Sequence, residues 1–188
     1  INKNRNNLHT VERQKDQLSL NNVKYRAPID LSWLRKSNMS IPKEKYALII
    51  PGGSGKRVNK RIPIDIYKSI IEFLLSKRLK IIIIGSYDEK NICAEIESQF
   101  PKVINLCNKT TLFDIGKLST SSFISIGNDT GPMHLVAKGG RSAFVFFTKY
   151  SQASLCAPRG KHVKIFHYNG NQNIFFQEVL KKIKTKLC

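Results

Sequence analysis

Phe123-Ile124-Ser125-Ile126-Gly127-Asn128-Asp129-Thr130-Gly131-Pro132-Met133-His134-Leu135-Val136-Ala137 begins and ends apolar, with a polar, glycine-containing turn between. Residues 123–126 read as a buried strand and Pro132 as the opening of a helix, since proline's missing N–H would have no partner at the first helical position. Gly131 supplies the backbone freedom that a sharp strand-to-helix turn demands. Behind Pro132, the N–H groups of Met133, His134 and Leu135 are predicted to leave the helix end without intrahelical acceptors, and the helix dipole adds partial positive charge. Such an end receives anions, phosphate above all. His134 adds a donor that can charge near neutral pH. Asp129 is opposite in character: a diphosphate would repel its carboxylate, so it suits neutral hydroxyls such as those of a sugar. Together they predict one ligand with a hydroxylated part and a phosphorylated part. The plainer reading of Asp-Thr-Gly-Pro is an ordinary capped turn.

Around this stretch the pattern alternates regularly. Strands are predicted at 46–50, 80–84, 103–106, 142–147 and 162–166, and helices at 64–78, 88–100, 111–119, 132–138 and 174–187. Ile66, Ile70, Phe73 and Leu74 fall at helical spacing, and the all-isoleucine run 81–84 fits a strand buried on both faces. The alternation predicts an α/β fold with a parallel sheet and right-handed crossovers. In such sheets ligands lie beyond the carboxyl ends of the strands, and that rule selects the loops that follow them.

The loop Pro51-Gly52-Gly53-Ser54-Gly55-Lys56-Arg57-Val58-Asn59-Lys60-Arg61-Ile62-Pro63 joins small residues to four cations. It is not a triphosphatase P-loop, because two residues separate Gly52 from Gly55 and Arg57 follows Lys56. The dinucleotide fingerprint also fails, since Val58 stands where the third glycine is required. Gly85-Ser86-Tyr87-Asp88-Glu89 offers carboxylates that could meet ribose hydroxyls or simply favour a helix start. Thr111 is a natural helix cap after Asn108-Lys109-Thr110, and Thr148-Lys149-Tyr150 follows the strand after that.

Before residue 46 the chain is polar. A helix is expected at 10–18, opened by Thr10, with a thin apolar face of Leu8, Val11 and Leu18 that calls for another domain to pack against. An extended linker follows to Lys45, broken by Pro28 and Pro42 and anchored by Trp33. The start lacks Met and an apolar signal core and reads like the middle of a longer protein.

The net charge of +19 implies phosphate-rich partners. The cations are scattered rather than striped, which argues against a nucleic-acid interface and for an acidic membrane surface. No run is long enough to span a bilayer. Cys93, Cys107, Cys156 and Cys188 lack zinc or dithiol spacing and are expected to be reduced thiols in a cytoplasm. His9, His162 and His167 read as surface residues, and neither a metal nor a cofactor is expected.

Gly-Asn-Asp-Thr-Gly-Pro-Met-His-Leu-Val-Ala resembles the signature of glycosyltransferase family 9, the ADP-heptose lipopolysaccharide heptosyltransferases, and the resemblance covers about residues 9–160. It implies a Rossmann-like domain forming the C-terminal half of a two-domain GT-B type enzyme. Residues 46–188 would be the donor domain, and residues 1–45 the end of the N-terminal domain with its linker. The first loop is similar to the family's Pro-Gly-x-Ser and Lys-x-Trp-Pro, with Ile62 in place of Trp. By that likeness Ser54, Lys60, Gly131, Met133 and His134 would bind the donor diphosphate, and Asp129 and Thr130 the sugar. Glu89 would meet ribose, and Lys109, Thr110 and Thr111 would border the adenine. The Thr148 loop is similar to the one after the family's Phe-Gly-x-Thr, with Phe147 where Gly is common. The implied reaction is inverting transfer from ADP-heptose, or a related nucleotide sugar, to the lipopolysaccharide core at the inner face of the cytoplasmic membrane. The catalytic base is expected in the N-terminal domain. The alternative is a non-enzymatic nucleotide-sugar-binding remnant, or a basic module for anionic surfaces.

Overall fold

The computed structural model describes residues 4–24 and 31–187; Pro28 and Cys188 lie outside them. Tyr46–Ile50 (β1) is buried at every position. A strand apolar on both faces can only be central in a sheet covered from both sides. Lys80–Ile83 (β2) and Ile124–Asn128 (β4) flank it in parallel, with Leu48 opposite Ile82 on one side and Ser125 on the other. Ile104–Asn105 (β3) extends the sheet beyond β2, while Ser142–Thr148 (β5) and Val163–Tyr168 (β6) extend it beyond β4. The order is β3-β2-β1-β4-β5-β6, all parallel. This is the doubly wound Rossmann-like arrangement, whose order reverses between β1 and β4 and opens a crevice there.

Helices cover both faces. Thr10–Leu20 (α1) is set apart from them in that it buries none of its residues. Ile64–Ser76 (α2), Lys90–Gln99 (α3) and Gln172–Leu187 (α7) cover one face, burying Ile66, Ile70, Leu74, Cys93, Ile96, Phe175, Val179 and Ile183. Leu112–Ser121 (α4) and Gly131–Lys138 (α5) cover the other through Ile115, Leu118, Met133 and Val136. Each large aliphatic side chain so buried contributes about 1.5–3 kcal/mol. A short helix, Ala153–Cys156 (α6), follows β5.

Three details differ from the sequence reading. The buried anchor of the segment after residue 30 is Leu34, 2% exposed, whose backbone and side chain press on Gly116; Trp33 is only half-buried, edge-on to Phe113. Leu34 wins because Gly116 leaves room for it at the face of α4. The cap of α1 is His9 rather than Thr10: its Nδ1 accepts from Val11 N–H, and its Nε2 lies 3.0 Å from the Ala157 carbonyl. His9 thus ties α1 to the end of α6, with Arg159 and Glu12 paired beside it, while His162 and His167 are exposed. The third is the helix read at 88–100, which opens as a tight turn over Tyr87–Glu89.

Candidate functional site

Beyond the carboxyl ends of β1, β2 and β4 lies a cleft of about 770 Å³. Ser54, Lys60, Glu89, Asp129, Thr130, Gly131 and His134 all line it, as do Arg57, Arg61 and Cys156. Lys109, Thr110 and Thr111 do not; they sit on the loop past β3, where Asn108 takes a left-handed φ of 57° and Thr111 caps α4.

One buried side chain builds the first loop. Asn128 is 0% exposed, and its amide donates to the carbonyls of Pro51 and Gly52 at 2.8 and 3.0 Å. Its oxygen accepts from the Tyr67 hydroxyl at 3.0 Å and from Ile62 N–H at 3.3 Å. The two carbonyls fix which end of the amide points which way, and its hydrogen-bonding capacity is filled. Arg61 donates to the Gly53 carbonyl, and Gly55 N–H to Asp88 at 2.9 Å, so this loop is tied down at both ends. Ser54 stays exposed and caps the tight turn Gly55–Lys60.

At α5 the sequence reading needs correction. The helix starts at Gly131, with Thr130 as cap and Pro132 second. Gly131 lacks positive φ and has open space where a side chain would stand, so the turn itself does not require glycine. Met133 was expected to offer its amide to an anion. Its N–H is instead given to the Thr130 carbonyl at 3.1 Å, and its side chain is wholly buried against Gly127. A tight first turn uses that amide internally. Among the described residues, the Gly131 N–H and the buried Thr130 hydroxyl have no protein partner. His134, exposed beside them, is held below its ordinary value: desolvation by its surroundings lowers it most, Asp129 opposes, and His9 and Lys138 add to the lowering. Its ring is therefore neutral at pH 7, where the sequence suggested charge.

Asp129 is 5% exposed at its side chain, and one of its oxygens gathers three donors. Lys60 Nζ lies at 2.8 Å, the Ser151 hydroxyl donates to it, and the Cys156 thiol approaches at 3.6 Å. The cation expected on a diphosphate and the carboxylate expected on a sugar thus hold each other. Ser151 and Cys156 were missed by the sequence reading, because they reach Asp129 only through the fold, from 22 and 27 positions further along the chain. Glu89 is 7% exposed; one carboxylate oxygen accepts from Ser86 N–H and Oγ at 2.5 and 2.6 Å, and its stem lies against Gly52.

A second cavity of about 660 Å³ lies across the Gly55–Lys60 turn, between the ends of β5 and β6. Among the described residues, no group of three or more His, Cys, Asp or Glu could hold a metal ion, and no helix is long and apolar enough to cross a membrane. Cys93, Cys107 and Cys156 carry free thiols.

Residues 5–179 match the family described as glycosyltransferase family 9 (heptosyltransferase). No curated protein matches the chain. Among solved structures, the fold is similar to E. coli heptosyltransferase WaaC with ADP, at 19% identity and a TM-score of 0.75, covering 96% of this chain and 57% of that one. It is similar to the glycosyl transferase family 9 protein from Veillonella parvula DSM 2008, at 16% identity, TM-score 0.74, with 96% and 60% covered. It is also similar to E. coli ADP-heptose lps heptosyltransferase II, at 18% identity, TM-score 0.70, with 85% and 52% covered. The chain therefore spans between 52% and 60% of the length of these three.

Proposed function

The chain belongs to glycosyltransferase family 9, and from that premise we propose that it holds the donor of a glycosyl transfer, a nucleotide sugar of the ADP-heptose kind. The observation that carries this reading is the meeting, in one cleft at the sheet's switch point, of an anion-receiving end with a buried carboxylate. Lys60, Gly131 N–H, the Thr130 hydroxyl and His134 form the anion-receiving end, with Ser54 on the facing loop. Asp129 takes the sugar hydroxyls. The nucleoside extends over Gly85 and Glu89 toward Lys109, Thr110 and Thr111. Solved structures of similar fold include E. coli heptosyltransferase WaaC with ADP and with ADP-2-deoxy-2-fluoro heptose, which supports a nucleotide-sugar ligand here.

Residues 46–188 form the donor domain in this reading, and residues 1–45 end a preceding domain that supplies the base and the acceptor site. As the acceptor hydroxyl bonds to the anomeric carbon with inversion, the bond to the diphosphate breaks, and the base takes the proton. Lys60 and the α5 end stabilise the charge growing on the departing diphosphate by preorganised electrostatics. The acceptor is a lipopolysaccharide inner core, met in the cytoplasm at the membrane's inner face, which suits a net charge of +19.

The Lys60–Asp129 pair makes the test sharp. A ligand for Lys60 alone must break that pair, so Asp129→Asn should tighten ADP binding by about three- to tenfold. The same change should weaken the sugar-bearing nucleotide, and Lys60→Ala should weaken both. Calorimetric titration of the three proteins with ADP and ADP-heptose decides it. ADP affinity that ignores Lys60→Ala would remove the diphosphate from this cleft. Transfer activity is expected only when the preceding domain is supplied.

A further inference from the structure

The Lys60–Asp129 pair ends a chain of contacts that begins at the last residue of β5. Thr148 is buried, and its hydroxyl donates to the Asn59 carbonyl at 2.9 Å, fixing the backbone immediately before Lys60. The same hydroxyl accepts from Tyr150 N–H at 3.3 Å, and the Thr148 carbonyl from Ser151 N–H at 3.1 Å, which closes a tight turn. At the end of that turn the Ser151 hydroxyl donates to the Asp129 oxygen that Lys60 also holds. Residues 148–151 thus touch both members of the pair: the backbone beside the cation, and the carboxylate itself.

The depth of Asp129 gives this contact a consequence. Its side chain is 5% exposed, and a carboxylate so placed needs donors for its charge. The donor reading above, on which this step rests, requires Lys60 to leave Asp129 for the diphosphate. With Lys60 as the sole donor, that departure would strand a buried charge, which is far costlier than losing an ion pair in water. Ser151 keeps a hydrogen bond on the same oxygen after the ammonium moves, and a bond to an ionised acceptor is about twice as strong as a neutral one. Cys156 is a poorer substitute. Its thiol is a weak donor, 3.6 Å from the carboxylate and closer, at 3.2 Å, to the Gln152 carbonyl.

We propose that Ser151 is a positioning residue of the donor site: it holds the Asp129 carboxylate in place so that Lys60 can pass from that carboxylate to the donor diphosphate. Two double-variant cycles test it. In calorimetric titration, Ser151→Ala should weaken ADP about fivefold or more in the parent chain, where Asp129 then depends on Lys60 alone. In Asp129→Asn the same change should matter less than about twofold, because no carboxylate is left behind when Lys60 moves. Ser151→Thr, which keeps the hydroxyl, should bind ADP within about twofold of the parent. In urea unfolding, Ser151→Ala should lower the midpoint further in Lys60→Ala than in the parent, since the buried carboxylate then loses both strong donors. An equal loss of ADP affinity with and without the Asp129 carboxylate, or no loss at all, overturns the role, and so does an unfolding cycle without coupling. ADP affinity that ignores Lys60→Ala sinks the donor reading and the passage of Lys60 with it, while the unfolding cycle still decides whether Ser151 holds Asp129.

Discussion

Asn128 carries no chemistry of its own, yet it shapes the cleft. Two loop carbonyls, a buried hydroxyl and a backbone N–H all end on its wholly buried amide. Asn128→Ala leaves these groups unpaired and should cost at least about 2 kcal/mol of stability in urea unfolding. Asn128→Asp should cost more at neutral pH, because a carboxylate would face the Pro51 and Gly52 carbonyls. Part of that loss should return as pH falls and the introduced acid takes a proton. If both variants unfold at the wild-type urea midpoint, the loop is held by something else. The sequence placed Asn128 inside the signature stretch but gave it no partner, since its partners are as many as 77 positions away.

At the scale of elements, the turn after β2 and the loop after β1 share one volume. A side-chain carbon on Gly52 would stand 1.8 Å from Glu89 Cγ. Gly52→Ala must therefore push Glu89 off its Ser86 cap, at about 1–3 kcal/mol. Adding Glu89→Ala should recover part of that loss; a double-variant cycle with no coupling would refute the clash. Across the sheet, Asp114 closes the cap of α4. The Ser37 hydroxyl, then the backbone and side chain of Thr111, hold its carboxyl below the ordinary 3.8. Its folded value lies below the unfolded one, so its contribution is complete above about pH 4 and fades as pH falls through the lowered value. Acid unfolding should come at higher pH in Asp114→Asn than in the parent, and coincident acid transitions would count against this. Thr111 was legible as a cap from its residue type, but Ser37 was not. It arrives from a segment 77 positions earlier, positioned by Leu34 against Gly116.

Taken whole, the molecule carries +19 with few ion pairs to relieve it among the described residues: Lys60–Asp129 and a handful at the surface. Such self-repulsion opposes compactness. The urea midpoint should therefore rise when sodium chloride goes from about 20 mM to 500 mM, because the Debye length shrinks from roughly 20 Å to a few ångströms. A falling midpoint would mean that specific pairs outweigh the general repulsion. The alternation of apolar runs with helical periodicity determined, from the sequence alone, a parallel α/β sheet and the loops at its carboxyl edge. Period and residue type are local properties, and a strand buried on both faces has few ways to be placed. Tertiary structure alone decided that Lys60 and Asp129 neutralise each other, that Met133 spends its amide inside the chain, and that Ser151 and Cys156 close on the same carboxylate. Those outcomes depend on distances between residues far apart in the chain, which become short only once the sheet has twisted and the helices have packed.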